Sequence, residues 1–385
     1  MNMARAQEAI TNSERTEASC DHRWLIGYGL GLAKVGPRAQ PLDRGTIWHA
    51  GLEAYTRPGM AGVQYAAAVQ AIKDAGHRLA VERLGPLAGM DSAAQEDTAL
   101  ALDMLERYHA HHGGAEPWVL LESEATFVAS VVNEDGNTSP VTRYAGKVDK
   151  LVMLAAADGL WLVEHKSTTM DLARWVETQT YRPQALSYAW AVQRVTGKRV
   201  LGVIYDLALA KAATLPEAMP CTADRKRLRN VAGVPTTTAE RYLAALALHG
   251  FDLDDQEFYR PTLAALQDRE AQGWWFRRHH VRFRPEDIER TGREIYTVAT
   301  RLRRGHDAVS PARRTLAMLA KANPRILPSA IVAALDQHGE NFPRNPAMCH
   351  EHGRPCPLMD LCRERSLEAA SEYTVKPARH AELDA

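Results

Sequence analysis

Between residues 117 and 210 the chain changes texture, and that change restricts the folds open to it. Four segments there are rich in Val, Leu and aromatics: PWVLLESEATFVASVV (117–132), TRYAGKVDKLVML (142–154), GLWLVEHKS (159–167) and RVLGVIYDLAL (199–209). Each reads as a strand. Before the last of them lies RPQALSYAWAVQRVTGK (182–198), with Pro183 where a first helical turn tolerates proline and Gly197 where a helix stops. The order strand–strand–strand–helix–strand predicts an α/β core, a mixed central sheet flanked by helices.

Helical spacing surrounds that core. The expected organisation is an N-terminal segment 1–40 (its first 17 residues polar and frayed), a helical region 41–115, the core 116–215, a second helical, Arg-rich region 216–345, a cysteine-bearing segment 346–365 and a polar tail 366–385. With 45% hydrophobic and 24% charged residues the composition is that of a soluble globular protein. There is no run of eighteen apolar residues, and the opening MNMARAQEAITNSERTEASC lacks the apolar stretch of a secretory signal. A cytoplasmic chain with no membrane contact is therefore expected. Lys+Arg and Asp+Glu number 47 each, so any nucleic-acid-binding surface must come from local clustering of basic groups.

The chemistry concentrates on two of the strands. Asp149 lies in AGKVDKLVML; fourteen residues intervene before Glu164 in WLVEHK, and Lys166 follows two positions later. Strand alternation puts Glu164 and Lys166 on one face, and a hairpin brings Asp149 beside them. Two carboxylates and an ammonium at one point make a hard-cation site with a charged helper. Mg²⁺ or Mn²⁺ held there would polarise a phosphate and acidify a bound water, while the lysine offsets developing charge. The backbone carbonyl of His165 can add an oxygen ligand. An E-x-K triplet also arises on any solvated strand, but here it closes the apolar run Leu160–Val163. Gln184 and Tyr188 share a helical face, as do His49 and Glu53 in RGTIWHAGLEAY, where Trp48, Leu52 and Tyr55 form the apolar stripe. Glu124, in ESEATFVAS, is either an auxiliary acid or an outward-facing strand carboxylate.

In order along the chain stand Gly45-Thr-Ile-Trp-His49, Gly146-Lys-Val-Asp149, Glu164-His-Lys166 and Gln184-Ala-Leu-Ser-Tyr188. This series resembles the RecB-like branch of the PD-(D/E)XK nucleases, which includes recombination helicase–nucleases, CRISPR-associated exonucleases and phage exonucleases. The resemblance implies a restriction-endonuclease-like fold with His49, Asp149 and Glu164 as metal ligands and Lys166 as a catalytic residue. It places Gln184 and Tyr188 at the DNA phosphate or in the organisation of the site. Glu164 stands where many members have Asp, which the class accepts.

The sequence holds five cysteines: Cys20 and Cys221 alone, and Cys349, Cys356 and Cys362 together. In a reducing compartment such clustering points to metal binding before disulfides. His22, His350 and His352 lie beside them, so spacing leaves structural Zn²⁺ and an iron–sulfur cluster equally open. Some members of the branch carry a [4Fe–4S] cluster on one cysteine before the core and three after it. The resemblance thus implies such a cluster on Cys20, Cys349, Cys356 and Cys362, stapling the two ends of the chain. The gap between Cys349 and Cys356 is longer than is common there, and Cys221 is left as a free thiol.

GWWFRRHHVRFR interleaves Trp274, Trp275 and Phe276 with Arg277, Arg278, Arg282 and Arg284, a composition that suits unpaired bases and phosphates or a core edge equally well. Lys211 and the run 223–230 are weaker basic candidates. No phosphate-loop motif of a helicase is present, which leaves room for a helicase or recombination partner in trans. The expected activity is metal-dependent DNA hydrolysis, exonucleolytic and on single-stranded or free ends, in recombination, repair, phage DNA metabolism or CRISPR adaptation. A site-specific endonuclease on the same fold and a non-catalytic nucleic-acid-binding protein with a metal staple are its rivals.

Overall fold

The computed structural model describes residues 9–36, 40–60, 62–133, 135–155, 157–178, 183–220, 226–351 and 354–376. Its organising strands are β1 (Ile10–Thr11), β2 (Leu32–Lys34), β3 (Trp118–Val132), β4 (Thr138–Leu154), β5 (Leu160–Thr168), β6 (Val200–Leu209), β7 (Phe276–Arg282) and β8 (Tyr373–Val375). The main helices are α1 (Gln40–Tyr55), α2 (Tyr65–Leu84), α3 (Ser92–His112), α4 (Pro183–Thr196), α5 (Ala239–His249), α6 (Tyr259–Ala271), α7 (Pro285–Ala322) and α8 (Leu327–His338).

The four expected strands become β3 to β6, and the expected helix becomes α4. The sheet runs β1–β4–β5–β6–β7, with β3 also paired to β4. β3, β4 and β5 are antiparallel neighbours, β6 returns parallel to β5 after α4, and β7 closes the edge antiparallel to β6. A parallel return needs a crossover, and α4 supplies it. Leu160–Val163 are fully buried, as a central strand covered on both faces requires. α1 turns Ile47, Trp48, Leu52 and Tyr55 into the core, leaving His49 half-buried beside the sheet. Residues 226–271 build a small second core from Leu228, Tyr242, Leu246, Tyr259 and Leu266.

Three expectations change at the edges of the core. The first 17 residues are not all frayed: from Ala9 onward they are placed, β1 lies parallel on Tyr144 and Ala145, and Glu14 is fully buried, accepting from Trp24 Nε1 at 2.9 Å. The tail from 366 is structured as far as Lys376; Ala369, Ala370 and Tyr373 are buried and β8 pairs antiparallel with β2. The region 216–345 is not wholly helical, because β7 is a strand of the sheet. Pairing partners far away in sequence fix each of these segments, so local pattern could not reveal them.

The two motif glycines have opposite surroundings. A Cβ on Gly146 would lie 2.5 Å from Phe127 Cζ and 2.8 Å from Tyr188 Cε1, whereas a Cβ on Gly45 would meet nothing within 4 Å. Gly146→Ala should destabilise the protein by about 1–3 kcal/mol through overpacking. Gly45→Ala, inside a helix, should stabilise it by up to about 1 kcal/mol. Urea denaturation of both variants checks the contrast.

Candidate active site

The site forms where a strand ladder stops. β4 and β5 pair at Lys150↔Val163, Leu151↔Leu162 and Val152↔Trp161, and no further. The next pair in that register is Asp149 with Glu164. There the His165 N–H donates to the Asp149 carboxylate, 2.7 Å from Oδ2, instead of to the β4 backbone. β4 and β5 part at this point, and β1 pairs with β4 farther along, at Tyr144 and Ala145. On β3, Ser123↔Lys150 and Ala125↔Val148 bracket Glu124, which therefore faces Asp149 across the ladder. Glu124, Asp149 and Glu164 form a row across three strands. Glu124 sits at φ 52°, a left-handed conformation that costs a non-glycine residue roughly 1–2 kcal/mol.

His49 from α1 completes the group, its Nδ1 3.5 Å from Asp149 Oδ1. Lys166 Nζ is 2.9 Å from Glu164 Oε2 and Lys147 Nζ is 2.7 Å from Glu124 Oε2. Burial opposes ionisation of Asp149, but His49 and Lys166 outweigh it and hold the carboxyl well below its usual range. Burial also opposes the charged form of His49, and the Asp149 carboxylate outweighs it, so the imidazole titrates above its ordinary value. Glu164 is raised by burial and by Asp149, against the pull of Lys166.

Among the described residues, His49, Glu124 and Asp149 offer three ligand atoms within 4.8 Å of one another. Glu164 Oε1 is buried with no hydrogen-bond partner. An orphaned carboxylate oxygen beside such a group fits a hard divalent cation, since buried acceptors otherwise find donors.

His165 turns its ring into a buried polar network. Its Nδ1 is 3.0 Å from Asp206 Oδ2, and Asp206 also accepts from Tyr108 Oη at 2.7 Å and Arg278 Nε at 3.3 Å. Arg278 continues to Glu116. Burial, with Lys150 nearby, pushes His165 down to about 4, so the ring is neutral. Lys150 is itself fully buried, and burial lowers its pKa. Gln184 Nε2 donates to Tyr188 Oη at 3.1 Å, and Tyr188 is buried against Phe127. Sequence reasoning missed Lys147, whose signal was its place two residues before Asp149 on the same strand. It also missed Asp206, whose partners come from three distant segments.

The aromatic–Arg segment is largely core. Trp275 and Phe276 are buried, Arg278 lies over Trp118 at 4.2 Å, Arg269 covers Trp274 at 4.8 Å and Arg284 pairs with Asp287 at 3.0 Å. Arg282 is exposed, 5.7 Å from the centre of the Trp161 ring. Lys211 is exposed, while Leu228 of the run 223–230 is buried. Cys20 is buried and Cys349, Cys356 and Cys362 are half-buried, all as free thiols. The Cys362 thiol lies within electrostatic reach of the other three, and burial raises it. The Cys356 N–H donates to the Cys349 carbonyl at 2.8 Å and the Asn345 N–H to Cys20 Sγ at 3.4 Å. His22 is buried on the Phe342 carbonyl and His350 is exposed. Cys221 and His352 lie outside the described residues.

A mixed sheet flanked by helices, parted over a row of carboxylates with a lysine at its end, defines a metal-dependent nuclease. The family model of the PD-(D/E)XK nuclease superfamily matches residues 15–363, and the chain belongs to that superfamily. A comparison with curated proteins finds no match. Among the described residues no helix is long and apolar enough to cross a membrane.

Because the Asp149 carboxylate favours the protonated form of His49, a cation that takes its nitrogen competes with a proton. Mn²⁺ affinity should therefore increase with pH until His49 is neutral. Titration calorimetry in two buffers of different ionisation heat should show proton release on binding, and His49→Ala should abolish it.

Proposed function

We propose that this chain is an exonuclease hydrolysing DNA phosphodiesters from free or single-stranded ends, with His49, Asp149 and Glu164 holding Mg²⁺ or Mn²⁺. The observation that carries the reading is the parting of β4 and β5 at Asp149 and Glu164, which opens a carboxylate-lined gap with Lys166 at its mouth. A divalent cation bound there would polarise the phosphate and acidify a water. Asp149 is held for this role by the His165 amide. A strand residue presents its N–H and C=O to the same edge, so the His165 carbonyl also faces the gap and suits a fourth ligand. Lys166, with 27% of its side chain exposed, can reach the attacked phosphate while Glu164 fixes its ammonium. Gln184 donates to Tyr188, and Tyr188 packs against the motif glycine Gly146, which supports an organising role. A single-stranded substrate is in keeping with the RecB-like motif order.

A [4Fe–4S] cluster on Cys20, Cys349, Cys356 and Cys362 belongs to this reading. Around one zinc, four thiolates stand about 3.8 Å apart, given Zn–S bonds of about 2.3 Å. The Cys362 thiol lies within electrostatic reach of Cys20, Cys349 and Cys356, and an iron–sulfide core spans more separated thiolates than a single zinc does.

Purified protein with Mn²⁺ should shorten linear single-stranded DNA progressively and leave closed circles intact; discrete cuts in circles would establish an endonuclease instead. Lys166→Ala should lower the rate about 10²–10³-fold with DNA binding kept, and an unchanged rate would remove the catalytic assignment. The protein should be brown and contain iron and inorganic sulfide; a colourless protein with stoichiometric zinc would overturn the cluster.

A further inference from the structure

Two lysines, not one, are held on carboxylates of the row. Lys166 sits on Glu164 and Lys147 on Glu124. Lys147 precedes Asp149 by two residues on β4, as Lys166 follows Glu164 by two on β5, so strand alternation keeps each lysine on the face of its acid. The side chains of Lys147 and Glu124 are 24% and 19% exposed, so solvent and substrate reach the pair. Glu124 has a second use open to it, because its carboxylate lies with His49 and Asp149 in the three-ligand group.

We propose that Lys147 is a substrate-binding residue that trades Glu124 for a DNA phosphate when Glu124 turns to a divalent cation. A divalent cation on Glu124 would draw on the carboxylate charge that holds Lys147 and repel its ammonium, which favours a move to another anion. A phosphodiester of the bound strand supplies it. Cation binding and DNA binding are thereby coupled through one side chain. The inference rests on the nuclease reading above.

The test is equilibrium binding of a fluorescent single-stranded oligothymidylate, across a KCl series, with Ca²⁺ or with EDTA. Wild-type protein should bind more tightly in Ca²⁺. In Ca²⁺, Lys147→Gln should weaken binding and make the slope of log K against log salt shallower by about 0.7, the share of one phosphate contact on a single strand. In EDTA the same variant should match wild type, since Lys147 is then held by Glu124. Lys147→Arg should restore the slope. Glu124→Gln should bind DNA more tightly than wild type in EDTA, and the double variant should lose that gain, which a mere loss of negative charge would not do. Thermal melts confirm that each variant folds. An unchanged slope for Lys147→Gln in Ca²⁺, or equal losses in Ca²⁺ and EDTA, overturns the proposal while leaving the nuclease reading standing. A wild-type protein that neither binds nor cuts DNA overturns both.

Discussion

The hydrogen bond from the His165 amide to the Asp149 carboxylate, 2.7 Å long, is the contact on which the site depends. A strand amide ordinarily meets a backbone carbonyl on its neighbour. Here a side chain takes that place, which satisfies the buried donor while the strands separate. The separation produces the gap, and the same bond locks Asp149 facing it. Holding the His165 ring in place is the task of Asp206, Tyr108, Arg278 and Glu116, so elements as distant as α3 and β7 converge on one peptide unit. Removing Arg278 would leave the buried carboxylates of Asp206 and Glu116 without their ion-pair partner, the costly way to break such a network.

Acids and bases are paired around the gap: Glu124 carries Lys147, Glu164 carries Lys166, and Asp149 faces the His49 ring, whose protonated form it favours. A divalent ion that replaced the His49 proton would add one positive charge, which a phosphodiester, carrying one negative charge, would offset, so metal would favour DNA at this site.

Much of this could be seen in the sequence. β3 to β6 alternate and carry β-branched and aromatic residues, and α4 begins with proline and ends before glycine, so local chemistry defines them. His49, Asp149, Glu164 and Lys166 announce themselves by residue type and order. Glu124 was ambiguous because β3 carries a bulge between Leu120 and Glu122 and a left-handed residue at 124, and alternation cannot be extrapolated through either. β1 and β8 contain two and three residues, too few for any periodic signal, and exist only through their partners. The Trp–Arg stretch 274–284 has one composition and two physical uses; only tertiary packing shows that Trp275, Phe276 and Arg278 are spent on the core.

The pairing of β2 with β8 makes the described chain a closed loop. The Lys376 amide reaches the Gly31 carbonyl at 2.8 Å and its ammonium the Gly27 carbonyl at 2.9 Å, next to the segments that carry Cys20 and Cys362. Force applied at either end of that loop would load the β2–β8 clasp first, and the clasp shares no residue with the row of carboxylates, so strain at the chain ends is taken up away from it.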